Sequence, residues 1–86
     1  MYKEIKVWEK LDKNEAVCYR CFQSIKNGKY FVQSADFFHL PIESKNIEQS
    51  ENQFIELFIE EDPASRVESY KTLEEAIEKH KEEFSK

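Results

Sequence analysis

One glycine, two prolines and two cysteines are all that this chain of 86 residues carries of the amino acids that break or cross-link a backbone. A single glycine cannot build a phosphate-cradling loop or the glycine-framed nucleophile turn of a hydrolase. Two cysteines cannot supply the disulfide framework on which small secreted domains depend. There is no run of about 18 apolar residues, the length a membrane-crossing helix needs, and Met1-Tyr2-Lys3-Glu4 lacks the apolar core of a signal peptide. Arginine is scarce too: the eleven lysines and two arginines are scattered among eighteen carboxylates, for a net charge of −5. Such a chain has no basic stripe for nucleic acid. These absences predict a cytoplasmic protein with no nucleic-acid or membrane partner and no cofactor.

What the chain does have is apolar and aromatic side chains, 40% and 14% of the residues, enough for a packed fold despite 36% charge. Its length allows one domain, residues 1–86, with one modest core that buries roughly 60 to 65% of the unfolded surface. The preference for lysine over arginine, with many Ile, Asn and Glu, suits an AT-rich bacterial genome.

Weak alternation over Lys3 to Glu9, with Ile5 and Val7 on one face and Trp8 on the other, predicts a first strand. A polar turn at Asp12-Lys13-Asn14 leads to a second strand from about Ala16 to Ile25. Asn27-Gly28 then predicts a tight hairpin, because a two-residue loop needs positive φ at both central residues. The third strand runs from Tyr30 to about Phe37 and ends before His39-Leu40-Pro41, since proline gives the ladder no amide hydrogen. Residues 42 to 50 read as a connection. Ser50-Glu51-Asn52-Gln53 fits a capping box, opening a helix over about 51–61 with Phe54, Ile55, Leu57, Phe58 and Ile59 as its apolar arc. A strand with Ile55, Leu57 and Ile59 on one face is the competing reading. Asp62-Pro63-Ala64-Ser65 interrupts the pattern, and Val67 to Tyr70 suits a short edge strand or an irregular crossing. Thr72-Leu73-Glu74-Glu75 is a second capping box, before a helix whose buried stripe is Leu73, Ala76, Ile77, His80 and Phe84, supported by Glu75 and Lys79 at i,i+4. The expectation is an α+β fold in β-β-β-α-α order, a three-stranded antiparallel sheet with two helices packed on one face.

A two-residue loop pairs Ile25 with Tyr30, Gln23 with Val32, Cys21 with Ser34 and Tyr19 with Asp36 on one face, leaving Phe31, Phe22, Arg20, Ala35, Cys18 and Phe37 among those on the other. Neither face is plainly polar. With both helices on one side, the face holding Tyr19, Tyr30 and Val32, joined by Trp8, stays open, and Tyr and Trp there suit a protein interface. The competing reading folds residues 40–50 over that face.

Cys18-Tyr19-Arg20-Cys21 has the spacing of a metal or redox motif, but residues three apart on a strand point to opposite faces. With no second cysteine pair, and with His39 and His80 at no usual spacing, the pair reads as two reduced, buried thiols and no metal site. Ser34, Asp36 and His39 invite comparison with a catalytic triad, yet the chain has no glycine-rich nucleophile turn. Glu51, Glu56, Glu60, Glu61 and Asp62 form the densest acidic patch, by default a solvated helix face and alternatively a docking strip. The resulting expectation is a non-enzymatic protein-interaction module that binds or inhibits a basic partner in the manner of an immunity protein or antitoxin. Its contacts would be Trp8, Tyr19, Tyr30 and Val32, with Glu56, Glu60 and Glu61 steering. The alternative is a homodimeric ligand-binding protein or minor enzyme with a pocket near Ser34, Asp36 and His39.

Overall fold

The computed structural model describes residues 1–42, 44–65 and 67–84. Strands β1 (Tyr2–Lys10), β2 (Glu15–Ser24) and β3 (Tyr30–His39) form an antiparallel sheet in the order β1-β2-β3, followed by helices α1 (Ser44–Glu60) and α2 (Leu73–Phe84). This is the expected α+β class and element order. At the β1–β2 turn, the Asn14 amide donates to Asp12 Oδ1 at 2.7 Å, the side-chain mimic of a backbone turn expected of this polar trio. At the far end of β3 the Leu40–Pro41 peptide is cis.

The hairpin between β2 and β3 departs from the expected geometry. Five residues, 25–29, separate the strands, and the loop is closed by the Gly28 amide on Ser24 O (2.8 Å) and the Ser24 amide on Lys29 O (3.0 Å). Only Gly28 takes a positive φ, 73°; Asn27 instead accepts the Lys29 amide on its side-chain oxygen. Gln23 therefore pairs with Tyr30 and Cys21 with Val32, a shift of two that preserves the faces. Beyond this point Gln33 bulges out of register, so Tyr19 meets Ala35 and Cys18 meets Asp36. One inserted residue shifts the register for the rest of β3, which sets Ser34 opposite Arg20 and Asp36 opposite Cys18 in place of Cys21 and Tyr19.

The helices lie on opposite faces of the sheet, not on one. Under α2, Val17, Tyr19, Cys21 and Val32 form the core with Ala76, flanked by Ile5, Val7, Leu73 and Ile77. Thr72 Oγ1 accepts the Glu75 amide at 3.1 Å, as the second capping box predicts, and Lys81 ties the helix to Glu9 of β1 at 2.8 Å. Lys79 pairs with Glu82, at i,i+3. The side chain of Phe84 lies outside the described part. On the other face, Phe54 and Phe58 of α1 pack on Phe22, and Tyr2 sets its ring edge-on to Phe22, Phe31 and Phe58.

Helix α1 starts at Ser44, so the stretch expected to be a connection is mostly helical and Ser50 lies within the helix rather than capping it. The strand alternative for residues 54–59 does not occur. Of the predicted apolar arc, Ile55 and Ile59 face outward, Ile59 at 78% exposure. After a short 3₁₀ turn at Pro63–Ser65, Tyr70 exchanges two backbone hydrogen bonds with Tyr30 on the outer edge of β3, the short edge pairing anticipated there.

Candidate functional site

Arg20 is the basic residue in the most apolar strand and is only 3% exposed. A guanidinium so deep needs carboxylates, since burying an unpaired charge is prohibitive. Glu51, one turn before Phe54 on α1, bonds its terminal nitrogens, and Glu4 of β1 reaches Nη1 at 3.4 Å. The cation also lies 4.0 Å above the Phe54 ring. The hydrogen bond to Arg20 holds the Glu51 carboxyl below its usual range. Glu51 reaches Lys6 at 3.4 Å as well, so this ion cluster clamps the middle of α1 to the sheet.

Beyond the clamp, the sheet and the first turns of α1 diverge around a groove of about 520 Å³. Cys18 and Arg20 lie along its lining, with Trp8, Phe38, Leu40, Ile42 and Ile47 supplying its apolar part. Trp8 is 59% exposed and packs one side of its indole against Phe38, with centroids 5.6 Å apart. Leu40, Ile42 and Ile47 are exposed as well. Four cationic side chains, Lys6, Lys10, Lys13 and Arg20, are matched by Asp12, Glu15, Asp36 and Glu51, so the groove is nearly neutral. The acidic excess lies on the helices: α2 has five glutamates to two lysines, and α1 four to one.

The expected contact residues separate in the fold. Trp8 is on the groove. Tyr19 and Val32 are buried beneath α2, so the open face proposed for them does not exist. Tyr30 is half-buried at the Tyr70 bridge. Glu56, Glu60 and Glu61 are exposed on the second half of α1 and just beyond it. Ser34, Asp36 and His39 do not assemble into one pocket. Asp36 and His39 border the groove, with His39 Nδ1 3.4 Å from Leu40 O, whereas Ser34 borders a different hollow with Tyr19, Phe37, His80 and Lys81.

Cys18 and Cys21 point to opposite faces, as their spacing on a strand requires. Burial raises both thiols, Cys21 to about 12. Among the described residues no three His, Cys, Asp or Glu side chains are grouped to hold a metal. His80, on the α2 stripe, sets its ring edge-on to Tyr19, and burial lowers its pKa.

Sequence reasoning passed over Arg20, Phe38, Leu40, Ile42 and Ile47. A usable signal was present in Val17-Cys18-Tyr19-Arg20-Cys21-Phe22, where a lone arginine in an apolar strand calls for a carboxylate from another element. No protein-family model, curated protein or solved structure gives a significant match to the chain.

Proposed function

We propose that the chain is a protein-recognition module whose groove takes an apolar side chain from a segment of a basic partner protein. The observation that carries this reading is the groove itself, where Trp8, Leu40, Ile42 and Ile47 leave large apolar surfaces in solvent around one concavity that the half-buried Phe38 also lines. A patch of this kind on a chain 36% charged is what protein interfaces use. The partner's charge follows from the acidic helices. Glu56, Glu60 and Glu61 extend negative potential along α1 beyond the neutral groove, and such a field accelerates encounter with cations more than it strengthens the final contact. An inhibitor of a basic enzyme or toxin is one protein of this description.

A photo-crosslinking amino acid at Ile42 should capture a partner from the native host, and the purified pair should then be measured by calorimetry and stopped flow. Ile47→Asp should weaken the complex at least tenfold. Glu56→Lys with Glu60→Lys should slow association in low salt and leave dissociation nearly unchanged. A captured protein that binds Ile47→Asp as tightly as the parent chain defeats the proposal.

A further inference from the structure

A three-stranded open sheet has two edges, and here they differ. On β3, the Gln33 bulge and the Tyr70 bridge disrupt one edge. The β1 edge is nine residues long and has no bulge. Hydrogen bonds from the Ile25 amide to Met1 O and from the Leu11 amide to Glu15 O place the odd-numbered residues of β1 at the bonded positions facing β2. The amides and carbonyls of Tyr2, Glu4, Lys6, Trp8 and Lys10 therefore point away from the sheet. Among the described residues no backbone or side-chain group bonds to them across that edge. Natural proteins seldom leave so long and regular an edge unpaired, because it is a template for another strand.

We infer that a second copy of this chain occupies the β1 edge, pairing β1 antiparallel to its counterpart with Ile5 on the two-fold axis and joining two sheets into one of six strands. The side chains select the partner and the register. With Ile5 opposite Ile5, Glu4 of each copy faces Lys6 of the other and Tyr2 faces Trp8, so both charged and aromatic pairs are complementary. Shifting the axis to Lys6 sets lysine against lysine. Shifting it to Val7 sets Ile5 against Glu9 and leaves Tyr2 and Lys3 unpaired. In the Ile5 register, the exposed Trp8 of one copy also arrives beside the Tyr2–Phe58 ring pair of the other, where Phe58 is itself exposed. The lysines that would repel an arbitrary strand thus favour this one. The dimer does not depend on the groove's having a partner, although Trp8 would bring the second copy to the rim of that groove.

Trp8 is the only tryptophan, so its emission reports this contact directly. Light scattering should give a dimer at high concentration, with blue-shifted Trp8 emission that moves to the red on dilution. Lys6→Pro removes an outward-pointing amide and no bond to β2, and should give a folded monomer by circular dichroism; Lys6→Gln keeps the amide and should stay dimeric. Ile5→Cys should cross-link into a dimer under mild oxidation, whereas Val7→Cys should not. A chain that stays monomeric at all concentrations, a Lys6→Pro variant that still dimerises, or cross-linking through Val7→Cys in place of Ile5→Cys would overturn the inference.

Discussion

Arg20 concentrates the consequences of burial in one side chain. Glu51→Gln removes the charge of its strongest partner and leaves the buried cation with Glu4 as its nearest carboxylate among the described residues and Asp36 acting at longer range. A hydrogen bond to a charged group contributes about 1.5–3 kcal/mol, and because Glu51 is half-exposed the loss should fall at the lower end, measurable as a reduced urea midpoint. The pH dependence follows from three depressed values, Glu51 by its bond to Arg20, Asp62 by its bond to Tyr2, and His80 by burial. Each group binds its proton more tightly in the unfolded chain, so acidification favours unfolding. The His80 contribution is complete above about pH 6.5 and is lost as pH falls through its lower folded value; that of Glu51 is complete above the usual carboxylate range and is lost below it. His80→Phe should flatten stability against pH in the first window, and Glu51→Gln should reduce the slope in the second, where Asp62 also contributes. Cys21, fully buried and with its thiol pushed up to about 12, should be inert to thiol reagents in the native protein and react only in urea.

At the scale of elements, two local signals should have distinct costs. Gly28 sits at φ 73° with no heavy atom within 4 Å of where a Cβ would lie, so Gly28→Ala meets conformational strain without a clash. Its cost should be about 1–2 kcal/mol. Thr72→Ala removes the acceptor of the Glu75 amide and should cost about 1 kcal/mol, both changes read from urea unfolding. The three strands were legible in the sequence because alternation is bounded by turn residues, and α2 because a capping box precedes a helical apolar stripe. The first two turns of α1 were not. Its sheet-facing stripe runs Ile47, Glu51, Phe54, Phe58, and the carboxylate that partners Arg20 interrupts the apolar period that would have extended the helix backward. The Gln33 bulge was illegible for another reason: no residue type marks it, and it set Ser34 opposite Arg20 and Asp36 opposite Cys18. Of the candidate site, Trp8, Asp36 and His39 were legible but the groove itself was not, since it forms where segments distant in sequence meet.

For the molecule as a whole, stability is spread over two thin layers, one under α2 that mixes aliphatic side chains with tyrosines and an aromatic one under α1. Phe31, with no exposed surface, anchors the aromatic layer. Removing a buried phenylalanine costs about 3–5 kcal/mol, a large share of the 5–15 kcal/mol that holds an average domain together. Phe31→Ala should therefore lose most of its cooperative thermal transition, whereas Ile59→Ala, on the exposed side of α1, should melt within a few degrees of the parent chain. Local chemistry was enough to determine the class of the fold, the order of its elements and the opposite orientation of the two thiols, because capping, alternation and strand parity act over a few residues. Tertiary structure decided which faces the helices cover, which aromatics remain in solvent and where the groove opens. Those outcomes depend on the loop length and the bulge, since a one-residue change of register carries every later side chain to the other side of a sheet.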